Sequence, residues 1–564
     1  MKLTGFLFAA ALLGSCTQPA AEENYTRHVD PKIGTGGHGH VFVGANVPFG
    51  LVQVGPTSIP QTWDWCSGYH ASDSTVIGFS HTHLSGTGIG DLFDVTVMPV
   101  TGDVTYARGT EDDPTSGLWS YADRTQEIAR PGYYSVPLTR YGIRAELTAT
   151  ARVGLHRYTF PASDAAAVVF DLENGGCWDK ATDTGFRFSD DSTRIAGWRC
   201  STGWAKNQEV YFVAEFSKPA KGISYLQPGE IDDSKMPRIA ARYARVDFDT
   251  AEGEQVLVKV ALSPVSIEGA KANLAAELPG WDFDATAAAA DKAWNDELSK
   301  VKIETEDETS KRIFYTALYH TMVAPSLFCD VNGDYRGADG KVHENPGRDT
   351  YTTFSLWDTY RAAMPLMTVL HPERMPDIIQ TMLHIADEQG RLPVWHLWGN
   401  ETDCMVGNPG IVAVADAIVK GIGGFDREKA FEAIRKTAMN PDRGNGLRME
   451  YGYIPCEMFN EAVAYDMEYA LADGAAARAA EALGKAEDAK YFEERSHSYR
   501  NYFDPQTGFM RGRDSKKGWR TPFNAFASTH RADDYCEGNA WQYTWLAPHD
   551  VAGLVGCFGS RARM

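Results

Sequence analysis

The sequence predicts a multidomain β + α fold: an N-terminal antiparallel β-sandwich followed by an all-helical domain of the (α/α)-barrel kind. Three observations carry that reading. Residues Ile143 to Val153 alternate apolar with polar side chains over eleven residues, which leaves one face of a strand dry and the other wet. Comparable β-rich runs occur at Val95 to Val100, Ala167 to Leu172, Val210 to Phe216 and Gln255 to Leu262, separated by the Gly, Pro, Asp and Ser clusters that punctuate antiparallel sheets. After the Ala-rich segment Ala285 to Ala290 the apolar period becomes helical.

The helices follow in order. Ile313, Phe314, Ala317, Leu318 and Met322 mark one; Ile378, Ile379, Met382, Leu383 and Ala386 mark another, with Pro376 near its start and Gly390 just past its end. Further stretches run from Ile411 to Lys420, Glu428 to Met439, Glu461 to Leu483 and Ala486 to Tyr502, and again after Glu537, with aromatic-rich and Gly-rich loops rather than strands between them. The expected boundaries are 28–265 for the sandwich, 266–307 for linker helices and 308–564 for the helical domain.

A length of 564 residues allows two to four domains, and 43% hydrophobic with 23% charged residues excludes wholesale disorder and a multi-span membrane protein. The formal net charge of −21 argues against a nucleic-acid partner, because phosphate binding rests on clustered Lys and Arg. Residues 1–16 read as a signal peptide: Met1-Lys2, an apolar stretch from Leu3 to Leu13, then Leu13-Gly14-Ser15-Cys16. Small residues before a Cys resemble a lipobox, so Cys16 is the expected lipidation site, 17–27 a tether, and the membrane is reached by the lipid anchor only. Ordinary cleavage near Ala20 or Ala21 is the other reading, and either one exports the protein. The eight later cysteines form no Cys-x-x-Cys pair, which excludes a zinc ribbon, while Cys177 and Cys200 are the couple nearest in sequence.

Candidate chemistry lies in the loops. The run Gly34 to His40 gathers glycines with His38 and His40, and His81-Thr82-His83 follows; the histidines suit either a transition metal or plain hydrogen bonding. Asp330, Asn332 and Asp334 imitate a calcium loop, but Tyr335 stands where Gly is required and Lys341 where a bidentate Glu is required, so a turn is the expectation. Four clusters read as a carbohydrate site: Phe354 to Arg361, Trp395 to Thr402, Glu457 with Glu461, and Glu537 to Tyr543. Sugars stack their C–H faces on aromatic rings while Asp, Glu, Asn and Arg take the hydroxyls.

At these residues the sequence resembles glycoside hydrolase family 92, from about Val29 to Met564. The resemblance is carried by Val29-Asp30-Pro31 through Gly37-His38-Gly39-His40, by Asn46 to Gly50, Gly78 to Gly86, Leu356-Trp357-Asp358-Thr359-Tyr360-Arg361, Gly399-Asn400-Glu401-Thr402 and Glu537-Gly538-Asn539-Ala540-Trp541-Gln542-Tyr543. It implies an exo-acting α-mannosidase, calcium-dependent and inverting, with an (α/α)6 barrel as its second domain. Its substrates would be mannose-containing glycans, of N-glycan or mannan type with α-1,2 linkages. It also implies a lipoprotein of the periplasm or outer-membrane surface of a glycan-degrading bacterium. Matched motif to motif, the general acid falls on Glu537 and substrate contacts on Trp357, Asp358, Arg361, Asn400, Glu401 and His38, with Trp65 and Trp541 as aromatic contacts.

There is one departure. The family's general-base Asp and its calcium ligands lie in Asp-x-Gly-Gln-Met-Ser and Gly-Asn-Glu-Pro segments, and neither occurs here. The sequence therefore reads as C-terminally truncated, with an incomplete barrel, Ca2+ ligands expected beyond Met564 and no mannose release expected from residues 1–564 alone. A lipid-anchored glycan-binding protein without catalysis is the alternative from another class, and a phosphorylase would need a phosphate site that the clusters do not provide.

Overall fold

The computed structural model describes residues 23–113, 115–187, 192–227, 238–345 and 347–564, so Cys16 and the signal segment lie outside the described residues. Two antiparallel sheets form the N-terminal half. One has six strands in the order Gly55–Thr57, Gly78–Ser80, Thr96–Thr101, Ser163–Asp171, Tyr243–Thr250, Gly222–Leu226. The other has nine and centres on Gln208–Phe216, Glu254–Ser263 and Val153–Phe160.

Alternation of apolar residues turns one face of each sheet inward, and the faces meet through aromatic pairs. Phe170 stacks on Phe212 at 6.0 Å, Phe248 meets Phe216 at 5.8 Å, and Phe79 meets Tyr158 at 6.3 Å. The outer face of the nine-stranded sheet is also apolar, with Val153, Leu155, Val213 and Ala261 fully buried. Helices Ile267–Glu277 and Phe283–Leu298 cover it with Ile267, Leu274 and Phe283. The two helices start where their caps sit: Ser266 Oγ accepts from Gly269 N, and Asp282 accepts from Ala285 N.

Two sequence expectations are corrected in these elements. The alternating run Ile143 to Val153 is not one strand: Ile143–Ala149 ends, Thr150 N donates to Val153 O at 2.9 Å, and Val153–Phe160 returns beside it. The alternation survives because the hairpin preserves the in–out order, so period alone cannot show the reversal. Ala486 to Tyr502 is not one helix either; Ala486–Arg495 stops and a 3₁₀ turn, Ser498–Tyr502, swings Ser498 and Tyr502 onto the buried Asp466.

The helical half is built on Ala462–Ala482, whose small residues let Pro409–Val419 and Ala486–Arg495 pack closely against it. Its buried acids are all matched. Arg448 donates to Asp466 and to Asp473, both at 2.7 Å, and Arg495 adds a bond to Asp473 at 3.1 Å. Short helices at Ala363–Leu370 and Asn445–Tyr451 were not anticipated; the second is bracketed by Gly444 and Gly452, both at positive φ. The loops expected to lack strands contain a small sheet, Phe354–Ser355, Trp395–Leu397 and Asn400–Glu401, with strands too short to leave a periodic trace.

The halves are joined through main chain as well as side chains. Phe49 N donates to Met322 O and Leu327 N to Phe49 O, while the fully buried Trp294 donates to Asn46 O at 2.7 Å. The eight cysteines of the described residues are all thiols, and Cys177 hydrogen-bonds Cys66 instead of pairing with Cys200. No described helix is long and apolar enough to cross a membrane.

Candidate active site

The segment around Glu537 shows what its motif does. Asn539 caps the helix Ala540–Tyr543 by accepting from Trp541 N at 3.0 Å, and Gln542 reaches back to accept from Asn539 N at 2.7 Å, a reciprocal capping box. Tyr543 OH donates to Cys536 O at 2.7 Å and Thr544 Oγ accepts from Met510 N at 3.1 Å, so the turn is tied down on both sides. Glu537 itself sits at φ +46°, exposed, with no hydrogen-bond partner among the described residues. The motif thus holds one glutamate in the left-handed region and leaves its carboxylate available.

Glu537 lines a cavity of about 180 Å³ together with Trp357, Arg361, Glu468 and Gln542. Glu468, from the middle of Ala462–Ala482, is the organiser of that wall. Its Oε1 accepts from Trp357 Nε1 at 3.0 Å and from Arg361, and its Oε2 accepts from Tyr360 OH at 2.8 Å. Burial pushes Glu468 up, and Arg361 and the Tyr360 hydroxyl oppose it. Asp358 stands alongside, exposed, accepting from Ser355 Oγ. It and Glu537 both act on the Cys404 thiol, which burial first of all pushes up, against the pull of Arg531.

A second cavity of about 800 Å³ opens on the other side of Cys536, which lines both. Trp204 and Lys206 reach into it from the hairpin between Arg194–Thr202 and Gln208–Phe216; Asp403, Glu457, Glu461 and Arg531 face them from the helical half. Trp204 is fixed edge-on to Trp395 at 4.6 Å. This is the concave, mixed polar and aromatic kind of space that ligand sites occupy between domains.

The structure brings Trp357, Arg361 and Glu537 to one cavity and Asp358 beside them. Glu457 and Glu461 line the larger cavity, whereas Asn400, Glu401, His38, Trp65 and Trp541 line neither. Asn400 is a joint between the halves: its Oδ1 accepts from Asn207 N and its Nδ2 donates to Asn207 O, both at 3.0 Å. Glu401 spends its carboxylate on the backbone amides of Val394, Trp395 and Asp403. His38 Nδ1 lies 2.5 Å from Asp64, Trp65 donates to Asp73 at 2.7 Å and stacks on His70, and Trp541, 46% exposed, rests on Phe509. Sequence reasoning missed Glu468, whose only trace is an acid inside an otherwise small-residue helix, and missed Trp204.

The histidine metal reading does not hold for His81 and His83. Both are buried; His81 donates to Val95 O and His83 to Gln53 O, and burial lowers them to about 4 and about 3. Asp330 also belongs to a turn, accepting from Ser263 Oγ and Asn273 Nδ2. One cluster of three potential metal ligands exists among the described residues, Glu297, His371 and Glu373. The Lys300 ammonium already stands there, 2.7 Å from Glu297, 2.9 Å from Glu373 and 3.2 Å from His371 Nδ1, so the place of a cation is taken by a side chain. Among the described residues no group of three His, Cys, Asp or Glu ligand atoms converges in either cavity, so the carboxylate share of a calcium site is not assembled there.

A free carboxylate at the edge of an aromatic-walled notch, beside a larger cavity between sandwich and helices, is the combination of groups that binding a sugar calls for. Comparison with known proteins gives the family. The N-terminal domain of glycosyl hydrolase family 92 matches residues 28–263 and the catalytic domain of the same family matches residues 269–564, so the chain belongs to that family and is a glycoside hydrolase. It is similar in structure to a family GH92 α-mannosidase of Bacteroides thetaiotaomicron in complex with mannoimidazole: 38% identity, TM-score 0.91, 96% of this chain and 73% of that one. A family GH92 inverting mannosidase of the same organism has 29% identity and TM-score 0.85, again over 96% of this chain and 73% of that one. An uncharacterized secreted glycosidase of Arthroderma benhamiae is 26% identical over 99% of this chain and 75% of its own length.

Proposed function

We propose that this chain is an exported, exo-acting α-mannosidase that removes mannose, α-1,2-linked, from N-glycan or mannan-type glycans with inversion of configuration. The observation that carries the proposal is the placement of Glu537 beside Trp357 and Arg361, together with relatives described as α-mannosidases, one of them inverting. The terminal mannose lays a C–H face on Trp357, Arg361 takes a hydroxyl, and Glu537 protonates the glycosidic oxygen as the bond breaks. An inverting mechanism asks a second carboxylate, roughly 6.5–9.5 Å away, to activate water. Glu468 does not serve, since both its oxygens are engaged. The calcium requirement of the family resemblance stays part of the proposal only as a dependence to be measured, because no step above uses the ion.

Binding is the direct readout. Isothermal titration of the purified chain with mannoimidazole and its gluco-configured analogue is expected to show a preference of at least about tenfold for the manno form, equivalent to about 1.4 kcal/mol. Glu537→Gln should weaken mannoimidazole more than methyl α-mannoside, since only the imidazole meets the acid. Equal affinity for the two imidazoles would remove the mannosidase reading; unaltered affinities in Glu537→Gln would favour the glycan-binding alternative.

A further inference from the structure

Glu461 is not accounted for by the acid chemistry. It is 8% exposed and lines the larger cavity, yet its Oε1 has no hydrogen-bond partner, while the carboxylate's other contact is the Cys536 thiol. It also sits at φ +56°, where a glutamate is strained and a glycine would not be. Arg531 and His530, on the same cavity wall, pull on its charge, while main-chain bonds fix the loop. Glu461 N donates to Asp533 O at 2.7 Å and Ala464 N donates to Asp534 O at 3.1 Å, which ties this loop to the segment that carries Glu537. A strained, buried acid with an unpartnered oxygen beside a cavity that the same residue lines is what a group kept for a ligand looks like.

We propose that Glu461 is a substrate-positioning residue whose Oε1 accepts a hydroxyl of the leaving sugar, on the side of Glu537 away from Trp357. The proposal rests on the mannosidase reading, and it follows from the order of the cavities. An exo-acting enzyme holds the terminal sugar at the acid and lets the remainder of the glycan run outward; here the remainder has the larger space, with Trp204 as an aromatic wall across from Glu461.

The experiment compares two ligands on three proteins. Methyl α-mannoside probes the terminal-sugar position alone, and an α-1,2-linked mannobiose probes both; each is titrated calorimetrically into the parent chain, Glu461→Gln and Glu461→Gly. Glu461→Gly is expected to lose about tenfold in mannobiose affinity and stay within about twofold for methyl α-mannoside, while Glu461→Gln, which keeps an acceptor oxygen, loses about threefold or less. The melting temperature of Glu461→Gly should not fall below that of the parent, because glycine relieves the backbone and removes a buried acid. Unchanged mannobiose affinity in Glu461→Gly, or equal loss of both ligands, overturns the proposal. If the parent binds neither ligand, the mannosidase reading falls and this inference with it.

Discussion

Glu537 and Glu468 share one cavity and do opposite things. Glu537 is exposed, and its strain, of the order of 1–3 kcal/mol for a non-glycine residue in the left-handed region, is held by the surrounding capping box and tyrosine. Glu468 is fully enclosed and meets three donors. Removing it leaves the Trp357 and Tyr360 donors unpaired while the exposed Arg361 returns to water, so Glu468→Ala is expected to destabilise the chain by about 1–3 kcal/mol in urea unfolding, and Glu468→Phe, which also leaves the two donors unpaired, should rescue nothing. A change below about 1 kcal/mol would show that the wall is not organised through Glu468. Glu537 was singled out in the sequence by the resemblance its motif carries, while Asn539 and Gln542, three residues apart, mark the start of the helix that follows it. Glu468 was not, since a helix period shows which face is apolar but not which partner an acid on that face will meet.

At the scale of elements, the Phe283–Leu298 helix is locked to the loop before Met375–Gln389 by an ionic knot. Glu297 is ion-paired with Lys300 at 2.7 Å and lies 3.1 Å from His371 and 3.5 Å from Arg374. Burial pushes the Glu297 carboxyl up, but hydrogen bonds from His371 and Lys300 outweigh it and hold the group down at about 2, against an ordinary value of 4.5. A depressed acid stabilises the fold above its unfolded value and loses that contribution as pH falls toward its folded value. Stability is therefore expected to drop between about pH 4.5 and 2, and Glu297→Gln should flatten that part of the curve, measured as denaturant midpoint against pH. A parallel curve in the variant would sink the assignment. The same paragraph of sequence, Ala285 to Ala290, announced the helix; its partner His371, in a loop, carried no such sign.

For the molecule as a whole, the joint between sandwich and helices makes the pocket. The Gly203 to Lys206 hairpin tip and the Asn207–Asn400 clamp place Trp204 at a cavity whose other walls come from Thr402 and residues after it. Asn400 and Glu401 were read from sequence as sugar contacts; their position in the fold gives them a mechanical task in shaping that joint. With a lipobox at Cys16 and a relative described as secreted, we expect Cys16→Ser to move the protein from the membrane fraction to the soluble fraction of bacteria that express it, without altering mannoside affinity. Unchanged fractionation would remove the anchor and leave ordinary signal cleavage.

By itself the sequence determined the order of sandwich and helices and the family, and it supplied the exported start and the acid role of Glu537 as expectations. These are local properties: apolar periods, capping residues and motifs of contiguous residues survive as text. Only the tertiary structure decided that Glu401 faces backbone amides, that Lys300 fills the one cluster among the described residues that resembles a metal site, and that Glu461 and Trp204 line the same cavity as Cys536 of the turn bearing Glu537. Those relations depend on which surfaces are buried together across long separations, and burial energy, being non-directional, leaves no spacing rule along the chain.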